Sequence, residues 1–176
     1  MKKLIFFLGL FLAVEISISA QTTATDSVHF TMSGQNIIDS IPRSNGWVSD
    51  FENIYTKKEI KTLDSLIEAF EKKKGYEIAI VTVDGSLTSD STFDSYILKI
   101  ANAWGVGKKG KDNGMVIGIS SEFGRIRIVN GAGVVLHLSD EDTKIIIETI
   151  FIANFKEGNY FKGTKDGLVA IMSKLK

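Results

Sequence analysis

The chain has 176 residues, with 21 basic and 21 acidic side chains, so its formal net charge is zero. That balance argues against a nucleic-acid binder that relies on bulk positive charge. The absence of cysteine excludes disulfides, zinc fingers, iron–sulfur clusters and thiol catalysis. A multi-histidine metal site is not expected either, because the sequence offers only His29 and His137.

The first residues have the pattern of an export signal. Lys2 and Lys3 precede an apolar run, Leu4–Val14, and small residues lead up to Ala20. The run is too short for a bilayer, which needs roughly 20 apolar residues. We therefore predict a signal peptide over residues 1–20, cleavage near Ala20, and an exported protein, periplasmic or secreted, with no transmembrane segment in the mature chain. An uncleaved signal anchor is the alternative. Residues 21–45, rich in Ser, Thr, Asp and Asn, are predicted to be a flexible lead-in.

The first predicted helix begins at a capping box. Thr56 and Glu59 have the spacing at which each side chain can accept a hydrogen bond from the other residue's free backbone amide. The helix ends at Gly75, and Lys72–Lys74 in its last turn are interpreted as a solvated helix end. The apolar stripe that supports this helix consists of Ile60, Leu63, Ile67 and Phe70.

Two apolar, β-branched runs predict buried strands. They are Ile78–Val83 and Met115–Ile119, with a predicted helix, Ser91–Trp104, between them. A helix that connects two such strands indicates a parallel crossover. The alternating stretch Arg125–Ile128 predicts a less buried, antiparallel partner for the second strand.

Two further helices complete the predicted fold. One comes after the acidic capping segment Ser139–Asp142, and the other spans about Thr164–Leu175. The inward residues expected on the first are Ile145, Ile146, Ile150 and Phe151. The order of elements predicts an α/β protein, a three-layer α/β/α sandwich around a mixed, mostly parallel sheet, in one domain over residues 46–176.

The glycine-rich loop between Gly105 and Asp112 contains the letters of a dinucleotide fingerprint and nearly those of a P-loop. Both motifs need a following helix whose amino terminus receives the phosphate. This loop instead leads into a strand, so no nucleotide cofactor is expected.

The same loop ends in Asp112-Asn113-Gly114, where carboxylate and amide oxygens suit calcium or magnesium. A plain turn is the alternative interpretation. The predicted topology brings Asn130 and Asp140 to the same sheet edge and places Asp84 at the opposite one.

Two other features carry little chemistry. His137, between Leu136 and Leu138, is interpreted as a core or loop histidine and not as a general base. Ser120 and Ser121 have no nucleophile-elbow pattern, so a serine hydrolase is not supported.

Several spaced segments resemble the TPM domain family. They are Trp47–Phe51, Gly75–Val83, Trp104–Gly114, Gly131–Gly133 and Phe155–Tyr160. The resemblance implies an α/β/α sandwich that is exported or membrane-tethered. It also implies calcium or another divalent ion in some members, acid phosphatase activity in a plant lumen member, and non-catalytic accessory roles in others. Val135 and Leu136 stand where the family often has an acidic residue and then glycine.

These observations support three hypotheses. The first is an exported accessory module that binds calcium or magnesium at Asp112 and Asn113 and acts on envelope or membrane proteins. The second is a phosphomonoester hydrolase whose metal is held by Asp50, Asp112 and Asp140. In that enzyme Lys108 or Arg125 would neutralise the phosphate. The third is a structural interaction domain without a metal.

Overall fold

The fold is built on one mixed sheet of four strands. The computed structural model describes residues 41–107 and 110–175. The predicted signal peptide, most of the lead-in and Lys108 lie outside the described residues. The strands lie side by side in chain order; they are β1 (Val48–Asp50), β2 (Glu77–Thr82), β3 (Gly114–Ser120) and β4 (Arg125–Asn130).

Strand directions agree with the prediction. β2 pairs with β3 in parallel and β3 with β4 antiparallel. Strand β1 was not predicted. It pairs in parallel with β2, with Asp50 opposite Thr82. Asp64 holds this short strand from the side, since its carboxylate accepts a hydrogen bond of 3.0 Å from the Val48 amide. Partial burial raises the pKa of the Asp64 carboxyl, against the lowering effect of that hydrogen bond.

Six α-helices and one π-helical segment are present among the described residues. They are α1 (Lys57–Lys74), α2 (Phe93–Trp104, preceded by a 3₁₀ turn), α3 (Ala132–Val135), α4 (Asp140–Ile146), the π-helical segment (Ile147–Phe151), α5 (Ile152–Phe155) and α6 (Tyr160–Lys174). Helix α6 therefore begins one turn earlier than predicted.

Helices cover both faces of the sheet, as the three-layer prediction requires. Alternate residues of β2 point to opposite sides: Ile78 and Ile80 face a core shared with α1 and α6, whereas Ala79 and Val81 face the core under α2. Burial on both faces explains why β2 and β3 are almost uninterrupted apolar runs. No helix among the described residues has the length and apolarity that a membrane crossing requires.

The π-helical segment changes which residues of the fourth helical region face the core. Ile146 and Phe151 are buried, as predicted, but Ile145 is 47% exposed, so that expectation was wrong. A π turn adds one residue to the helical repeat and so rotates the preceding turns of the helix relative to the later ones. Phe151 then packs on Gly167, where an added Cβ would lie 2.2 Å from the ring.

The capping box of α1 forms as predicted and gives a first testable expectation. The Glu59 amide donates to Thr56 Oγ1 at 3.3 Å, and the Thr56 amide donates to Glu59 Oε2 at 2.7 Å. We expect Thr56→Ala to lower the free energy of unfolding by about 1 kcal/mol. Urea denaturation measures this loss. Thr62→Ala, on the exposed side of the same helix, is the control and should cost less; equal losses would contradict a capping role.

Candidate functional site

The Asp112-Asn113 pair lies at the amino edge of the sheet, where β2 and β3 begin and β4 ends. The Asp112 backbone adopts a left-handed conformation (φ 47°), and its carbonyl accepts a 2.9 Å hydrogen bond from the Gly133 amide. Its side chain is exposed. The loop is therefore fastened by its backbone, while the Asp112 carboxylate remains accessible to a ligand.

Asn113 is engaged in holding the fold. Its side-chain amide donates to the Gly75 carbonyl at the end of α1. Its own carbonyl accepts a 3.1 Å hydrogen bond from the Glu77 amide. These bonds tie the loop to the link between α1 and β2, so the amide group serves the fold whether or not a cation binds nearby.

A cleft of about 420 Å³ opens at the same edge, between β4 and α4. Asn130, the last residue of β4, donates from its amide nitrogen to Thr143 Oγ1 at 3.2 Å. Its amide oxygen is buried and accepts no hydrogen bond. A buried acceptor without a donor costs free energy, so a water or an ion is expected to occupy its free side.

Both signs of charge line this cleft. Asp140 and Glu148 contribute carboxylates, and Arg127 and Lys144 contribute cations. Arg127 Nε is also buried without a hydrogen-bond partner. Among residues 41–107 and 110–175, no group of three or more His, Cys, Asp or Glu is placed to hold a metal ion. A cation here would be bound by few protein oxygens and would keep several waters.

The predicted ligand Asp50 lies at the carboxyl edge, the opposite end of the sheet. Asp50 pairs with Thr82 of β2, and Thr82 pairs with Ile119 of β3. Ile119 is five residues beyond Gly114, which corresponds to roughly 16 Å along the strand. Asp50 therefore cannot share an ion with Asp112 or Asp140, and the metal set of the phosphatase hypothesis is not assembled.

A polar network at the carboxyl edge, centred on Glu52, was not predicted. The Glu52 carboxylate accepts hydrogen bonds from the Ser121 amide at 3.0 Å and from the Glu122 amide at 3.1 Å. Asp84 lies at this edge as predicted, and hydrogen bonds from Ser86 lower the pKa of its carboxyl. The sequence could have indicated this network through two acidic residues, Asp50 and Glu52, at the end of a strand. Because β1 was not recognised as a strand, that signal was not used.

Arg125, the other predicted phosphate contact, also lies at the carboxyl edge. Its guanidinium donates to Asp90 at 3.0 Å and to Asp94 at 2.9 Å, and it lies over the Phe93 ring, 5.7 Å from its centroid. Two carboxylates already balance its charge, so a phosphate would have to displace them. Lys108, the alternative contact, lies outside the described residues.

His137 is exposed, in the loop after α3. Its ring meets the Tyr76 ring edge-on, with the centroids 6.3 Å apart. This contact joins the end of α3 to the start of β2. A loop histidine with a packing role agrees with the sequence interpretation.

Comparison with known proteins supports the same architecture. A family model described as TPM domain matches residues 48–174. The N-terminal domain of a protein from P. gingivalis, solved by NMR, is 25% identical, with a TM-score of 0.69 over 78% of this chain and 90% of that one. No curated protein matches the chain.

Two more distant NMR structures share the fold. The N-terminal domain of the cg2496 protein from Corynebacterium glutamicum is 12% identical, with a TM-score of 0.57 over 76% of this chain and 82% of that one. The BA42 protein from Bizionia argentinensis is 23% identical, with a TM-score of 0.52 over 71% of this chain and 83% of that one.

Proposed function

The chain belongs to the TPM domain family, and on that premise we propose that it is an exported accessory domain that binds a divalent cation, calcium or magnesium, at the amino edge of its sheet. The residues that would hold the ion are Asn130 and Asp140, which line one cleft, and Asp112 lies at the same edge of the sheet. The partner would be an envelope or membrane protein. Export rests on the apolar leader that precedes the domain.

The orphaned oxygen of Asn130 is the observation that carries the cation proposal. Carboxylate and amide oxygens are the ligands that calcium and magnesium prefer. The buried Asn130 oxygen without a donor and the exposed Asp140 carboxylate line the same cleft. A bound cation would give the Asn130 oxygen a partner and would neutralise the Asp140 carboxylate.

The surroundings favour weak and reversible binding. Arg127 and Lys144 in the cleft repel a cation. With few protein oxygens available, we expect an affinity in the range of extracellular calcium modules, about 10⁻⁴ to 10⁻³ M. Such a site would respond to the ion concentration outside the cell.

The groups that phosphatase chemistry would need lie at opposite edges of the sheet, and this favours an accessory role. Asp50 and Arg125 lie at the carboxyl edge, whereas Asp112 and Asp140 lie at the amino edge. In a metal-dependent phosphatase, the metal-activated water and the basic side chain that neutralises the phosphate must face the same phosphorus atom. The bound ion would instead order the amino edge for contact with a partner.

The test is thermal unfolding with chelator and with calcium or magnesium at increasing concentration. A ligand that binds the native state raises its stability by mass action, by about 2.7 kcal/mol at a hundred times the Kd. We expect a saturable rise that Asp140→Ala removes and Asn130→Ala reduces. Glu141→Ala is the matched control, since Glu141 is exposed on the same turn of α4.

Two results would contradict the proposal. One is a melting temperature that no divalent ion changes. The other is a rise that persists unchanged in Asp140→Ala and Asn130→Ala together. Hydrolysis of a phosphomonoester that depends on Asp112 would favour the enzyme hypothesis instead.

A further inference from the structure

Leu136 is the most exposed large apolar side chain of the described residues. It is 81% exposed, and Val135 beside it is 42% exposed. Both lie at the end of α3, a four-residue helix that follows the end of β4 at the amino edge. Single exposed apolar residues are common on protein surfaces, so Leu136 becomes informative only through its surroundings.

Two other segments that carry lysines lie close to this apolar tip. The Tyr76–His137 ring contact brings the carboxyl end of α1, with Lys73 and Lys74, to the residues just after Leu136. The hydrogen bond between Asp112 and Gly133 brings the Lys111 loop to the start of α3. The three lysines are exposed and form no ion pair within the described residues.

Positive charge prevails around the apolar tip. The cleft that Val135 lines carries two acidic and two basic side chains, so its own charges balance. Outside the cleft, the three lysines outnumber Asp112, the exposed carboxylate next to Lys111. Glu77 is half-buried, and its carboxylate accepts a hydrogen bond from the Gly107 amide. Glu71, on the last turns of α1, is also half-buried and engaged in an interaction. Three exposed cations on segments next to an exposed leucine are complementary to a surface that is anionic at its face and apolar beneath it.

The size of the apolar tip distinguishes a lipid surface from a protein partner. A stable protein interface buries about 800 Å² on each side around an apolar centre. Leu136 and Val135 are too small to supply that centre. A membrane needs less area, because an inserted apolar side chain and each nearby lysine add separately to the attraction for anionic lipid.

We propose that the amino-edge patch, which consists of Lys73, Lys74, Lys111, Val135 and Leu136, docks the domain on a membrane surface rich in anionic phospholipid. Leu136 enters the boundary between headgroups and acyl chains, and the lysines contact the phosphates. The attachment is peripheral and reversible. It does not depend on a bound divalent cation.

The experiment is vesicle co-sedimentation of the exported protein, purified after leader removal with its amino terminus checked by mass spectrometry. It compares vesicles of phosphatidylglycerol and phosphatidylcholine in equal amounts with vesicles of phosphatidylcholine alone, both in chelator. We expect binding to the anionic vesicles only, which falls as salt concentration rises. Binding should be about tenfold weaker in Leu136→Ser.

Two matched controls separate the patch from general effects. Lys73→Glu with Lys74→Glu should weaken binding at least about tenfold. Lys57→Glu with Lys58→Glu makes the same charge change on the same helix, about 24 Å away, and should have a much smaller effect. Val169→Ser removes an apolar side chain that is 48% exposed on α6, outside the patch, and should leave binding unchanged.

Equal losses in the two lysine pairs, or full binding by Leu136→Ser, would overturn the proposal. So would binding to neither kind of vesicle. If sedimentation velocity instead shows self-association that Leu136→Ser abolishes, the patch is a protein interface and the lipid assignment is wrong. Because every arm contains chelator, failure here leaves the cation proposal untouched, and failure of the cation proposal leaves this result standing.

Discussion

Asp50→Ala is expected to lower the free energy of unfolding by about 3 kcal/mol, because the carboxylate satisfies three donors that the variant would leave unpaired. Its Oδ1 accepts hydrogen bonds from Thr82 Oγ1 at 2.7 Å and from the Ile54 amide at 3.2 Å. Its Oδ2 accepts one from the Tyr55 amide at 2.9 Å. Urea denaturation monitored by tryptophan fluorescence measures the loss.

The effect should extend beyond β1. Thr82 is fully buried, and besides donating to Asp50 it accepts a hydrogen bond of 3.0 Å from the Glu52 amide. The Tyr55 hydroxyl is hydrogen-bonded to Thr164 of α6 at 2.7 Å, and burial raises the pKa of that tyrosine. Asp50 thus fixes the loop that links the edge strand to a helix on one face of the sheet.

Two controls separate this structural role from metal binding. Asp84→Ala removes a carboxylate at the same sheet edge whose hydrogen bonds are to nearby Ser86, and its cost should be well below that of Asp50→Ala. The Asp50→Ala loss should also be the same in chelator and in calcium. A loss that appears only in calcium would show that Asp50 is a metal ligand after all.

Residues with strong local patterns were predicted well from the sequence. The apolar runs of β2 and β3 can be recognised because both faces of each strand are buried. The capping box located the start of α1, because two side chains at a fixed spacing satisfy the free amides there.

Strand β1 could not be recognised in the same way. It has three residues and no alternation, and pairing with β2 and the Asp64 carboxylate hold it. Missing this strand led to an error in the predicted metal site. Without β1, Asp50 had no assigned sheet edge and was grouped with Asp112, whereas Asp140 and Asn130 were placed by the β3–β4 hairpin and were brought together in the cleft. The π-helical segment was missed because residues 145–147 and 150–152 are all apolar, so their spacing fits a regular helix as well as one with an extra residue.

A second large effect is expected at the two glycines that meet the Lys111–Asp112 backbone. At Gly133 an added Cβ would lie 2.2 Å from the Lys111 carbonyl oxygen, and at Gly131 it would lie 2.2 Å from the Asp112 carbonyl oxygen. Backbone cannot move aside as cheaply as a side chain. These glycines are therefore explained by the close approach of the loop to α3, and this explanation needs no ligand.

Gly133→Ala is accordingly expected to cost about 3 kcal/mol of stability, the upper part of the range for overpacked sites. Ala132→Ser is the matched control, since Ala132 is exposed on the same short helix, and it should change stability by less than about 0.5 kcal/mol. Urea denaturation of both variants, and then the calcium titration, distinguishes two roles. A destabilised Gly133→Ala that keeps its calcium response shows that the glycine serves packing. A variant that stays stable but no longer responds to calcium would contradict this. It would show that the absence of a Cβ at Gly133 gives the ion access and does not serve packing.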